Sequence, residues 1–143
     1  MPDIIHEFPV KAPQREVFRM FSTSQGLNQW WTKDSSENRA EQTFRLYFGP
    51  KYDWQAKVTK RESPFSFELQ MTQAHPDWLK TRVGCDLYEE KDNVTRVRFY
   101  HTGWPEQNEH WRVSCFCWAM YLRVLRRHLE YGETVDYEKR LDV

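Results

Sequence analysis

Five histidines and three cysteines are the side chains of this sequence best suited to acid–base or nucleophilic chemistry. His101 stands out. It ends a run, Val94 to His101, in which Thr95, Val97, Phe99 and His101 share one parity and Arg96, Arg98 and Tyr100 the other. That parity aims His101 inward, beside Val97 and Phe99. An inward imidazole can hydrogen-bond a ligand or act as a general base near neutral pH. It can equally be a core histidine bonded to backbone at a strand end, because spacing places no acid or nucleophile next to it. Cys115 falls on the apolar side of a helical stretch and Cys85 on the inward side of a strand. Either is a nucleophile if a histidine stands beside it, and otherwise a small hydrophobe. Cys117 falls off that stripe. Cys115 and Cys117, two apart on a helix, cannot face each other. No histidine pair accompanies them at ligand spacing, so no metal site is nominated. An odd cysteine count without disulfide spacing fits a reducing, cytoplasmic setting.

The other conspicuous chemistry is aromatic. The chain carries 7 tryptophans, 9 phenylalanines and 7 tyrosines, yet 29% of its residues are charged. Apolar volume is thus concentrated in a few large rings, as in a protein with an aromatic interior and a polar surface. Trp30, Trp31, Phe44, Leu46, Phe48, Trp54, Phe67, Leu69, Val83, Cys85, Phe99, His101, Trp104, Trp111, Cys115 and Trp118 are the candidates to line a cavity. The same rings can fill a core. Glu106, Glu109 and His110 stand where a cavity mouth would be, although first-turn acids also answer the helix dipole. There is no phosphate-binding glycine loop, no Gly-x-Gly-x-x-Gly and no Gly-x-Ser-x-Gly. No pair of acids is placed for acid–base work. No catalytic residue and no cofactor are therefore assigned.

These residues must be positioned by a small set of elements. Ile4 to Val10 reads as a strand, ended by Lys11-Ala12-Pro13, with Pro13 suited to open a helix. Val17, Phe18, Met20 and Phe21 give that helix one apolar side. Ser22-Thr23-Ser24 breaks it and can cap a second helix bearing Leu27, Trp30 and Trp31. From Thr43 the period becomes two. Phe44, Leu46 and Phe48, then Trp54, Ala56 and Val58, then Phe65, Phe67, Leu69 and Met71 alternate with polar residues. Turn residues Gly49 to Asp53 and Ser63-Pro64 separate these runs into a meander with one apolar face. Thr72 to Asp77 reads as a polar loop. Strands follow from about Leu79 to Glu89 and from Val94 to His101, across a turn at Lys91-Asp92-Asn93. Glu106 to Tyr131 is a long helix whose stripe is Trp111, Cys115, Trp118, Leu122, Leu125 and Leu129, with Gly132 as its C-terminal cap.

The length of 143 residues suits one domain, long enough to bury roughly 70% of its unfolded surface. We place that domain at residues 1–132 and read 133–143 as a mobile tail with little to pack. With 21 basic and 21 acidic residues the formal charge is zero, so there is no general pull toward nucleic acid or anionic membrane. Arg123, Arg126 and Arg127 form a local basic strip, the usual pattern of a solvated helix face. No apolar stretch is long enough to span a bilayer, and no secretory signal is read at the N-terminus.

Trp30-Trp31, Phe48-Gly49, the hinge His101-Thr102-Gly103-Trp104 and the Trp118 to Gly132 segment, taken together, resemble the SRPBCC or START-like superfamily. Within it the chain is similar to the activator of the ninety-kilodalton heat-shock protein ATPase homologue family, from Ile4 to about Gly132. The resemblance implies an α+β helix-grip (START/Bet v-like) fold. In such a fold a curved antiparallel sheet wraps a long C-terminal helix, with two short helices after the first strand and a cavity between sheet and helix. It departs from the family at Ala40-Glu41-Gln42-Thr43, where members often carry glycines, and at Cys117, where glycine often precedes the helix tryptophan. The inward aromatic face points to non-enzymatic binding of a hydrophobic or aromatic small molecule. The resemblance alone carries the alternative, an interaction module acting on a heat-shock chaperone ATPase in a stress response. A cyclase- or hydrolase-like enzyme using His101 is the third reading. Oligomeric state is not legible.

Overall fold

A computed structural model describes residues 2–142. Met1 and Val143, the outer ends of the expected domain and tail, lie outside the described residues. Among those described, the order is β1 (Ile4–Val10), α1 (Gln14–Ser22), α2 (Ser24–Trp30), β2 (Asp34–Asn38), β3 (Thr43–Gly49), β4 (Tyr52–Glu62), β5 (Ser66–Gln73), β6 (Arg82–Lys91), β7 (Val94–Thr102) and α3 (Glu109–Tyr131). A 3-10 helix, Tyr137–Asp142, follows.

The strands form one antiparallel sheet in the order β1-β7-β6-β5-β4-β3-β2. Six strands sit where alternation puts them. The seventh, β2, was not expected, because Asp34-Ser-Ser-Glu-Asn carries no apolar alternation. It is held as an edge strand by pairing with β3, and polar residues are what an edge strand tolerates. The inward parity of the other strands buries Phe44, Leu46, Ala56, Val58, Phe67, Leu69, Met71, Val83, Cys85, Leu87, Val97 and Phe99.

The connection from β1 is tight. Pro13 takes extended backbone before α1, and the Thr23 hydroxyl accepts from the Gly26 N–H to open α2. Gly26 is needed for close approach, since a Cβ there would stand 2.5 Å from the Arg19 carbonyl oxygen. The two helices can therefore fold against each other only through glycine.

Helix α3 begins at Glu109 rather than Glu106, because the Asn108 side chain accepts from the Trp111 N–H and caps it there. It ends where Gly132, at φ 70°, adopts the left-handed conformation expected of a cap. Its buried residues are Ser114, Trp118, Leu122, Val124 and Leu125. Trp111, Cys115 and Leu129, placed on the stripe by periodicity, are only half-buried.

The tail differs from the expectation of a segment with nothing to pack. Arg140 is 5% exposed. Its guanidinium donates to the carbonyls of Asn28 (2.6 Å), Thr32 (3.1 Å) and Val135 (3.1 Å). The carbonyls at the end of α2 lack helical partners, and a buried arginine fork satisfies them. This polar side chain docks the tail together with Val135, which packs against the core.

Candidate functional site: an aromatic cavity under the final helix

His101 is fully buried, and its bonding can be read atom by atom. The Trp118 indole N–H donates to Nδ1 at 3.0 Å. An indole can only donate, so Nδ1 is the acceptor and the proton sits on Nε2. That N–H donates to the Thr81 hydroxyl at 2.8 Å, which in turn donates to the Trp78 carbonyl at 2.5 Å. Burial, with a smaller contribution from His110, pushes the His101 pKa down to about 3. A neutral imidazole with both nitrogens engaged has no lone pair for a ligand and none for a substrate proton. His101 therefore ties β7, α3 and the β5–β6 loop together, and does not reach the cavity.

The loop it anchors carries a residue that sequence reasoning passed over. Trp78 and Leu79 each donate from their backbone N–H to the His75 carbonyl, and Lys80 donates to Met71. These bonds hold a short turn over the sheet and bury Trp78 against four rings, with Trp104 edge-on at 6.1 Å. Trp78 lies edge-on to His101 at 4.5 Å, stacks on Trp118 at 5.8 Å and 20°, and meets Trp54 at 5.1 Å. Its own indole N–H has no acceptor among the described residues.

Beside Trp78 lies a cavity of ≈ 400 Å³ between the sheet and α3. Trp31, Phe48, Trp54 and Trp118, all sequence candidates, line it. Trp31 stands 5.0 Å from Trp118 and 5.5 Å from Phe48, and Phe48 is 5.3 Å from Trp54. Trp30, Phe44, Leu46, Phe67, Leu69, Val83, Cys85, Phe99 and Trp104 are buried elsewhere in the core. Cys115 and Trp111 lie outside the lining too, and the Cys115 carbonyl contacts His6 Nε2 at 3.2 Å.

The remaining lining was not nominated as such, apart from the rim position of His110. From α3 it includes His110, Val113, Ser114, Cys117 and Tyr121; Tyr52 adds the β3–β4 turn, and Tyr137 and Leu141 come from the tail. Steps of three and four carry positions 110, 114, 117 and 121 along one helix face. That face is rotated from the one with the strongest apolar signal. Burial raises the Cys117 thiol and pushes the Tyr121 hydroxyl up to about 12. Neither is a nucleophile or base at neutral pH. All three cysteines are free thiols, and burial raises the pKa of Cys85 as well.

A larger hollow of ≈ 450 Å³ lies between β1 and α3. Glu7, Arg123, Arg126 and Arg127 border it beside His6, Phe8 and Tyr131, so its walls mix long charged side chains with rings. Arg127 is engaged with Glu133 at 2.6 and 2.7 Å, and Arg126 with Glu130 at 3.4 Å. The aromatic cavity is the better ligand site because its walls are apolar and pre-formed. At its rim stand His75, Asp77 and His110, which border an adjoining hollow with Tyr52 and Trp54.

Comparison with known proteins agrees with this architecture. Residues 11–130 match the family described as activator of Hsp90 ATPase homolog 1-like protein. The Aha1 dimer from Colwellia psychrerythraea, solved in solution, is 28% identical with a TM-score of 0.80, over 93% of this chain and 99% of that one. A protein from Bacillus halodurans is 23% identical with a TM-score of 0.71, covering 91% and 98%. One from Staphylococcus saprophyticus is 20% identical with a TM-score of 0.74, covering 94% and 96%. The last two show likeness of fold alone. No curated protein sequence matches the chain. Among the described residues, no helix is long and apolar enough to cross a membrane.

Proposed function

The chain belongs to the activator of Hsp90 ATPase homolog 1-like family, and from that premise we propose that it is a non-enzymatic binder of a hydrophobic or aromatic small molecule. The observation that carries this reading is the ≈ 400 Å³ cavity lined by Trp31, Phe48, Trp54, Trp78, Trp118 and Tyr121. Small-molecule sites run from roughly 300 to 1,000 Å³, so the occupant is a compact molecule of one or two rings. Ser114 and His110 offer the polar groups that would orient it. Burial raises the pKa of the Cys117 thiol and the Tyr121 hydroxyl in the lining, which supports binding over nucleophilic turnover. A cytoplasmic location goes with this reading, since all three thiols are free.

A second reading, an interaction module acting on a heat-shock chaperone ATPase, draws on the family description and on the 28% identity to the Colwellia Aha1. One set of experiments separates the two. Native mass spectrometry of freshly purified protein should reveal a retained small molecule. Indole and naphthalene, titrated into stripped protein, should quench or shift tryptophan fluorescence. Trp54→Ala should weaken the response. If no molecule is retained, neither probe binds and a wider hydrophobic library is silent, the ligand reading fails. A pull-down against the host's chaperone would then test the second.

A further inference from the structure

The turn after β5 and the first turn of α3 meet at the cavity rim and bring together three side chains of metal-binding type. Asp77 Oδ2 lies 2.9 Å from His110 Nδ1 and 3.9 Å from His75 Nδ1. The two imidazole rings stand edge to face at 4.6 Å. One ligand atom from each of the three residues falls within 4.8 Å of the others. A tetrahedral ion with bonds of roughly 2.0–2.1 Å holds its donors roughly 3.3–3.5 Å apart. The observed separations bracket that value, so small side-chain rotations would close the set.

We propose that His75, Asp77 and His110 form a binding site for a divalent transition metal ion of the Zn²⁺ class. Two imidazoles and one carboxylate are the donor set of a borderline ion. Ca²⁺ and Mg²⁺ seek all-oxygen surroundings and are disfavoured here. Three protein ligands leave a fourth position for water or for a donor atom of another molecule. The three residues border a hollow together with Tyr52 and Trp54, both of which also line the aromatic cavity.

Surrounding contacts already hold the ligands. The Asn108 side-chain amide donates to Asp77 Oδ2 at 3.3 Å. Trp104 packs edge-on against the His110 ring at 5.4 Å. The His75 carbonyl accepts from Trp78 and Leu79, which fixes the turn. Such outer contacts orient ligands and tune affinity. His75 Nδ1 accepts from the Asp77 N–H at 3.0 Å, and His110 Nδ1 pairs with the Asp77 carboxylate. The hydrogen bond with His110, ahead of lesser contributions from Asn108 and His75, keeps the Asp77 carboxyl below its ordinary range despite the opposing effect of desolvation.

The site is independent of the small-molecule reading and is tested with the metal alone. Chelator-treated protein, titrated with Zn²⁺ by calorimetry, should bind one ion per chain. Co²⁺ should give the visible absorption of a tetrahedral complex. His75→Gln and His110→Gln should each abolish both signals, while His128→Gln, at the far end of α3, should bind like the parent. Asn108→Ser, which keeps a capping oxygen but loses the amide, should weaken binding about tenfold. Melting curves report whether the variants fold. If one does not, Zn²⁺ protection of His75 and His110 from diethyl pyrocarbonate in the unaltered protein replaces it. Failure of the parent to bind, unchanged affinity in a folded His75 or His110 variant, or equal modification with and without Zn²⁺ would overturn the proposal.

Discussion

The two ends of the space under α3 are built from the same kinds of residue and end up different. At one end Phe67 meets Phe18 and Phe44 edge to face at 6.3 and 6.0 Å, and all three are buried with Leu122, Val124 and Leu125. There the helix pair α1–α2 and the sheet bring up regularly spaced side chains that are buried against one another. At the other end Trp31, Phe48, Trp54, Trp78, Tyr121 and Tyr137 approach from a helix terminus, two strands, a loop, α3 and the tail. Large flat rings arriving from so many directions meet at edges and angles and leave ≈ 400 Å³ between them. Packing quality, more than hydrophobicity, divides the molecule into a part that holds the fold and a part that leaves a cavity.

The sharpest way to break that contrast is a pair of truncations. Phe67→Ala should cost about 3–5 kcal/mol in urea unfolding, the range for emptying a filled aromatic site. Trp54→Ala, at the already hollow end, should cost about 1 kcal/mol or less while weakening probe binding. Equal losses at the two positions would erase the distinction.

A second test uses pH and His101, which sits behind the hollow end. Its pKa in the folded state is about 3, against 6.5 for an unburied imidazole. Above pH 6.5 the group is neutral in both folded and unfolded chains, and its contribution is constant. Below 6.5 the unfolded chain takes up a proton that the folded one refuses until about pH 3. Stability should fall through that window by at most about 1.4 kcal/mol per pH unit. His101→Gln should lower stability by a fixed amount and flatten that slope. Parallel pH profiles for the two proteins would show that another group carries the acid sensitivity.

The smallest effect is a rate. Cys117 lines the cavity and Cys85 is fully buried in the packed part. A small methanethiosulfonate reagent should modify Cys117 slowly in the native protein, bound indole should protect it, and Cys85 should react only on unfolding. Identical kinetics with and without indole would remove Cys117 from the ligand's surroundings.

The packed end was legible in sequence and the hollow end only in part. Strand parity identified Phe44, Phe67, Leu69, Cys85 and Phe99 as inward, because a period of two leaves little choice of face. It could not say which inward residues border a void, since that depends on how rings from distant segments tilt. Trp31, Phe48, Trp54 and Trp118 were found because they are large and correctly phased. Trp78 was missed because it stands just past a polar His75-Pro76 segment with no period to betray it. Ser114 and Cys117 were missed because a weakly apolar helix face gives no signal beside a strongly apolar one. The His75, Asp77 and His110 group spans a loop and a helix 33 positions apart, and spacing alone cannot join them. Strand β2 escaped for the opposite reason, as an edge held by backbone pairing needs no apolar side chains.

Arg140 has a further consequence, because its grip on the carbonyls ending α2 carries Tyr137 and Leu141 into the cavity wall. Part of the pocket is thereby made by a short appendage that contributes nothing to the sheet and follows the last helix. Such an appendage can change in sequence at little risk to the sheet, so the shape of that cavity wall can vary while the strands stay under packing constraint.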